Sequence, residues 1–235
     1  MSFAAGGVRA SRRQNPLSGL FVTGTGTEVG KTVVAAAIAR SAAAAGRRVA
    51  VFKPAVTGLD EAGEADHALL RRAAGSAQSD DEIAPYRYGP PASPHLAAAQ
   101  AGERIERQRL VDAARAAEAN ADFLVCEGVG GLLVPLAPDS SVRDLAVDLD
   151  LPLVIAASPG LGTINHTLLT IEAARSHGLQ IEAVVLTPWP QEPSAIERSN
   201  RETIAALGAV RVETLPRLDL ADPDSWPALL APPRR

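Results

Sequence analysis

Lysine is almost missing from this chain. Of its 23 basic residues only two, Lys31 and Lys53, are lysine, and the rest are arginine. Lysine is a compact ammonium on a flexible stem and arginine a planar fork, so the two are not interchangeable where an anion must be met by a point charge. Either composition has drifted and left two accidental survivors, or both lysines sit where an ammonium has a task. Cysteine is as scarce: Cys126 alone excludes an internal disulfide and suits a reducing, cytoplasmic setting. Aromatics make up 3% of the chain, which leaves alanine, valine and leucine to build the core. No run approaches the roughly eighteen apolar residues that span a bilayer, which argues against a membrane protein. The net charge of −4, with no basic stripe, argues against a nucleic-acid binder. The stretch 1–18 is basic (Arg9, Arg12, Arg13) and rich in small residues but lacks the apolar segment of a secretory signal. It reads as a disordered extension, with 19–235 as one domain. A length of 235 residues fits one large α/β domain, or at most two small ones.

What is present is organised around 22–32, Val-Thr-Gly-Thr-Gly-Thr-Glu-Val-Gly-Lys-Thr. A short apolar run leads in at 20–22, and an alanine-rich helical run follows over 33–45, with Gly46 placed to end it. Strand, glycine-rich turn and helix in that order make a phosphate-binding loop, in which backbone N–H groups and the helix N-terminus face an anion. Lys31 can reach terminal phosphate oxygens, and the Thr32 hydroxyl can ligate magnesium. The pattern is a variant one, because Thr25 stands where the strict motif has its first glycine.

The run 49–52 is a short apolar strand that delivers Lys53 at its C-terminal end, where open parallel sheets bind ligands. The alternative for Lys53 is an exposed strand end. An acidic loop at 60–66 precedes a helix over 67–74. Asp66 at its start is either a helix cap, as most such aspartates are, or a ligand. Four prolines keep 84–94 irregular; Ser93-Pro94 then opens a helix, and a second helix covers 105–119. The strand 122–126 ends at Glu127-Gly128-Val129-Gly130-Gly131. A carboxylate at that place opposite a phosphate loop is a second magnesium anchor, or else a turn cap. Ser141 to Asp144 has a capping-box pattern. Further strands cover 153–157, 181–186 and 210–215, with helices over 164–177 and 193–207. Asn165 at the first of these helix starts either caps it or shares its free N–H groups with an anion. Strand and helix alternate throughout, which predicts a mostly parallel sheet covered by helices on both faces, of the variant phosphate-loop nucleoside-triphosphatase type.

Five motifs in order give the chain a likeness to a known family. They are Val22 to Thr32, Phe-Lys-Pro-Ala-Val-Thr-Gly from Phe52, Pro-Ala-Ser-Pro-His from Pro91, Val-Cys-Glu-Gly-Val-Gly-Gly from Val125, and Leu-Gly-Thr-Ile-Asn-His from Leu161. Through them the chain resembles the ATP-dependent dethiobiotin synthetases of biotin biosynthesis. The resemblance implies 7,8-diaminononanoate, carbon dioxide and ATP as substrates and magnesium as the metal. It implies a carbamate, a carbamic–phosphoric anhydride and ring closure to a cyclic urea, with ADP and phosphate released. By the same resemblance Thr27, Lys31 and Lys53 are catalytic, and Thr32, Asp66 and Glu127 hold magnesium. Glu28, Val29, Gly30, Val33, Gly128, Val129 and Gly130 join the nucleotide contacts. Thr57 and Gly128 meet the diamine, and Thr163 and Asn165 grip its carboxylate from the neighbouring subunit of a homodimer. Thr187, Pro188, Pro216, Arg217 and Leu218 border the base. The chain departs from the family at Thr187-Pro188, where many relatives read adenine with an asparagine; other nucleoside triphosphates are therefore expected to serve beside ATP. Two other classes fit less well. Dimerising ATPase switches carry an extra lysine early in the loop, absent between Gly24 and Gly30. Cobalamin-pathway amidotransferases add a glutaminase domain with a nucleophilic cysteine.

Overall fold

The computed structural model describes residues 18–230. The expected extension over 1–18 lies, except for Ser18, outside the described residues, as do 231–235. In chain order the elements are β1 Gly19–Gly24, α1 Lys31–Ala44, β2 Val49–Phe52, α2 Asp66–Ala74, α3 Asp80–Ile83, α4 Pro94–Gln100, α5 Arg107–Ala119, β3 Phe123–Glu127, β4 Pro135–Ala137, β5 Ser140–Ser141, α6 Val142–Leu149, β6 Leu153–Ala157, α7 Thr163–Arg175, β7 Ile181–Trp189, α8 Ala195–Gly208 and β8 Val212–Pro216. A 3-10 turn, Pro223–Ser225, follows.

Six strands form one parallel sheet in the order β2-β3-β1-β6-β7-β8. Such strands are covered on both faces, so they read as continuous apolar runs, and their period of two divides the core. Phe21, Leu124, Cys126 and Ile155 face the side packed by α5, α6, α7 and α8, whereas Leu20, Val22, Val125 and Val154 face α1 and α2. Alanine lets α1 lie close to the sheet: Ala35, Ala36, Ala37 and Ala39 are all fully buried.

The expected capping box opens α6, with Ser141 and Asp144 bonded to each other's backbone amides. Two expectations need correction, and two features were not foreseen. The strand read as ending at Leu186 runs on through Thr187 and Pro188 to Trp189. It can do so because Pro188 sits where the register with β8 shifts, so no ladder bond is required of it. The helix expected from Ile105 begins at Arg107. The short helix α3 and the hairpin β4–β5 were not expected at all. At the outer strand β2, the side chain of Gln78 takes the place of a further strand: the Val51 amide donates to Gln78 Oε1 at 2.8 Å, and Gln78 Nε2 donates to the Val51 carbonyl at 3.1 Å. Among the described residues no helix is long and apolar enough to cross a membrane.

Candidate active site

Parallel register brings the candidate residues to one end of the sheet. Val22 pairs with Glu127 and Phe52 with Cys126, so the phosphate loop, Glu127 and Lys53 leave β1, β3 and β2 at the same level. The loop itself holds left-handed backbone at Glu28 (φ 59°) and at Gly30 (φ 85°), a geometry that curls N–H groups into an anion-binding concavity. Gly30 has a second reason to be glycine, since a Cβ there would lie 2.6 Å from Thr187 Cγ2. The end of β7 thus packs directly on the loop.

Thr27, Glu28, Gly30, Lys31, Thr32, Val33, Lys53, Thr57, Asp66, Glu127, Val129 and Gly130 line one cavity of about 390 Å³. Ala55, which the sequence reading passed over, lines it too; its signal was its place inside the Phe52–Gly58 motif. Lys53 is not an exposed strand end but is 3% exposed, with Nζ 2.7 Å from both Asp66 Oδ2 and Glu127 Oε1. Burial by itself would drive the Lys53 pKa down, yet the two carboxylates outweigh it and hold the ammonium above its ordinary value. Burial pushes Glu127 up, against the pull of Lys53. Burial also works on Asp66, but there contact with Lys53 prevails and holds the carboxyl low. Lys31 is shifted down by burial, and its Nζ folds back onto the Gly26 carbonyl at 2.8 Å.

Asp66 does not cap its helix. Ala65 is the N-cap, no side chain caps the turn, and the Asp66 carboxylate turns to Lys53 instead. The Thr32 hydroxyl donates to Glu127 Oε1 at 2.9 Å, while the other carboxylate oxygen, Oε2, is buried with no hydrogen-bond partner. One hydroxyl and two carboxylates, with an oxygen left unmatched, form an oxygen donor set that fits a magnesium ion. Among the described residues no group of three or more His, Cys, Asp or Glu side chains could hold a metal, so the remaining ligands would be phosphate oxygens and water.

The other candidates lie around this cavity and do not line it. Val29 packs against the α1 face of the core. Gly128 faces inward: a Cβ would meet Val142 Cγ1 at 2.8 Å, so its small size serves packing. Thr187 is buried, and β7 brings Pro188 and Trp189 alongside the end of β8, where Pro216 pairs with Trp189 and Arg217 and Leu218 follow. Thr163 opens α7 as a buried residue, and Asn165 is exposed in its first turn. Asn165 is not the cap, since Gly162 holds that position with φ 89° and no side chain caps the helix. A larger cavity of about 890 Å³, between the start of β2 and α5, contains none of these residues.

A parallel sheet with a glycine-rich turn leading from its central strand into a helix, a carboxylate at the end of the neighbouring strand and a second at a nearby helix start, defines a phosphate-loop nucleoside-triphosphate protein. Solved structures agree on that fold. The septum site-determining protein MinD of Pyrococcus horikoshii, complexed with Mg-ADP, superposes with a TM-score of 0.52 at 14% identity over 85% of this chain and 81% of that one. The MinC:MinD cell division complex of Aquifex aeolicus gives 0.54 at 14% identity over 86% and 82%. A family model described as an AAA domain matches residues 18–223. The ATP-dependent dethiobiotin synthetase BioD of Rhodococcus erythropolis strain PR4 is 43% identical over 196 residues, covering 83% of this chain and 86% of that protein. The same-named protein of Anaeromyxobacter dehalogenans strain 2CP-C is 43% identical over 191 residues, covering 81% and 86%. That of Mycobacterium sp. strain KMS is 42% identical over 201 residues, covering 83% and 86%. The chain belongs to the ATP-dependent dethiobiotin synthetase family.

Proposed function

We propose that this chain makes dethiobiotin from 7,8-diaminononanoate, carbon dioxide and ATP, with release of ADP and phosphate. One amine adds to carbon dioxide and loses a proton to give a carbamate. A carbamate oxygen takes the γ-phosphoryl group, forming a carbamic–phosphoric anhydride. The second amine attacks the same carbon, phosphate leaves with that oxygen, and a five-membered urea closes as the amine sheds its proton.

The observation that carries this reading is that the chain's only two lysines line one cavity with the phosphate loop and two carboxylates. Phosphoryl transfer needs positioning and charge neutralisation more than an acid or base. Lys31 and the loop from Thr27 to Thr32 hold the phosphates, and Lys53 neutralises the carbamate and the group in transfer. Thr32, Asp66 and Glu127 would hold magnesium, which supplies charge neutralisation at the phosphates when bound. Thr57 meets the diamine, Val129 and Gly130 border substrate and nucleotide, and Gly128, whose missing side chain serves packing, borders them through its backbone alone. Thr187, Pro188, Pro216, Arg217 and Leu218 flank the base. Keeping both amines and ATP in one cleft makes ring closure effectively intramolecular.

The substrate carboxylate goes to the first turn of α7, at Thr163 and Asn165, presented by the partner in a homodimer. That turn has neither a side-chain cap nor an acidic residue, which leaves it open to an anion. Leu161 beside it is 95% exposed, and Leu133 and Leu169, 57% and 55% exposed, border a cavity of about 470 Å³ next to 24–27. An apolar rim of this kind is what a second copy would cover. The single buried cysteine suits a cytoplasmic enzyme. The test is to supply ATP, magnesium, bicarbonate and 7,8-diaminononanoate and to follow ADP and dethiobiotin by mass. Product formation with ADP release that needs both co-substrates is expected. ADP release indifferent to them would refute the synthetase reading, and a monomer by sedimentation would refute the shared site.

A further inference from the structure

Between β6 and α7 the chain crosses 158–162, Ser-Pro-Gly-Leu-Gly, with a left-handed Gly162 and an almost fully exposed Leu161. Two glycines flanking a side chain that packs on nothing in its own chain make a segment with many accessible conformations until the chain itself or a partner holds it. It is nevertheless tethered from a distance. Asn200, near the middle of α8 and only 7% exposed, donates from Nδ2 to the Pro159 carbonyl at 2.9 Å and to the Gly160 carbonyl at 3.1 Å. Two carbonyl oxygens at that range require an amide nitrogen, so the orientation of the Asn200 side chain follows from its surroundings. The Gly160 carbonyl also accepts the amide of Thr163 at 3.3 Å, so one oxygen joins α8 to the first residue of α7. The helix that bears Asn200 is itself fixed, by the Ser194–Glu197 capping box at its start and by Ile204 in the core.

We infer that Asn200 is a positioning residue for the carboxylate end of the substrate, acting by fixing 158–162 and hence the first turn of α7. This rests on the reading that the α7 turn receives the carboxylate. The nucleotide end is anchored separately, by Thr187 packed on Gly30. Loss of the Asn200 bonds therefore loosens one end of the site and leaves the other in place. A displacement of a fraction of an ångström at a turn whose N–H groups must converge on one anion is enough to weaken that grip.

The experiment compares 7,8-diaminononanoate with its carboxamide analogue in the wild type, in Asn200→Asp, which turns the donor into an acceptor facing two carbonyls, and in Asn200→Ala, which only removes it. Melting temperature reports folding, and the alanine variant serves if the aspartate variant does not fold. The expected result is a KM for the acid raised about tenfold or more, a KM for the amide and for ATP unchanged within about twofold, and so a lost preference for acid over amide. A variant that keeps the preference, or raises all three KM values together, overturns the role of Asn200 while leaving the α7 reading intact. A wild type that does not distinguish acid from amide overturns both.

Discussion

The Lys53 ammonium and the Glu127 carboxylate meet at 2.7 Å with both side chains buried in the wall of the cavity, and Lys53 is the only lysine paired with the carboxylates Asp66 and Glu127. Breaking a buried pair by removing one partner leaves the other uncompensated. Lys53→Met should lower stability by about 3 kcal/mol, chiefly through Glu127, because Asp66 is nearly half exposed. Saturating magnesium should restore part of the loss. Denaturant melts with and without the ion measure both, and an unchanged midpoint would mean that Glu127 is neutral in the folded protein. Lys53→Arg should keep ATP binding but lower kcat by about a hundredfold, since a fork cannot replace the point charge; near-normal turnover would remove Lys53 from the mechanism.

Glu127→Gln keeps the shape of the site and removes a negative charge from the proposed magnesium set. The magnesium concentration for half-maximal turnover should rise about tenfold or more. A titration that overlays the wild type would take Glu127 out of that set.

Thr187 offers one hydroxyl, and that side chain is packed against Gly30, while Pro188 has no N–H. With the base flanked by these two residues, as proposed, a pocket without an amide fork discriminates weakly, so ATP, CTP and GTP should give kcat/KM values within about tenfold of one another. Side-by-side turnover decides it, and strict preference for ATP would refute the idea.

His67 is buried, and burial lowers its pKa below the ordinary 6.5 in spite of Asp80 nearby; Arg71 and Arg87 push the same way as burial. The folded protein therefore binds this proton more weakly than the unfolded chain does. Stability contributed here is full above pH 6.5 and declines as pH falls below it. Melting temperature followed from about pH 8 to about pH 5 should fall more steeply in the wild type than in His67→Asn; parallel curves would show that His67 does not drive the slope.

The strands were legible because a sheet buried on both faces leaves unbroken apolar runs, and the phosphate loop because its glycines and Lys31 are local in sequence. Lys53 could be singled out by scarcity alone. Other features lay beyond local pattern. Asp66 looks the same as a cap or as a ligand, and only Lys53, brought in by another strand, decides which way it turns. Pro188 argues for a strand end until the register shift beside it is known. The hairpin β4–β5 is too short to leave a period. Asn200 acts on carbonyls 40 and 41 residues away, with nothing in its own helix to mark it.

The primary amide of Gln78 has a consequence for how the molecule behaves in a crowd of its own kind. An outermost strand normally offers unsatisfied N–H and C=O groups to any passing chain, and that is a route to aggregation. Here the Val51 donor and acceptor are already engaged by a side chain. At this residue the ladder is terminated from within, which takes away one donor and one acceptor that a passing chain would need in order to add itself to that flank.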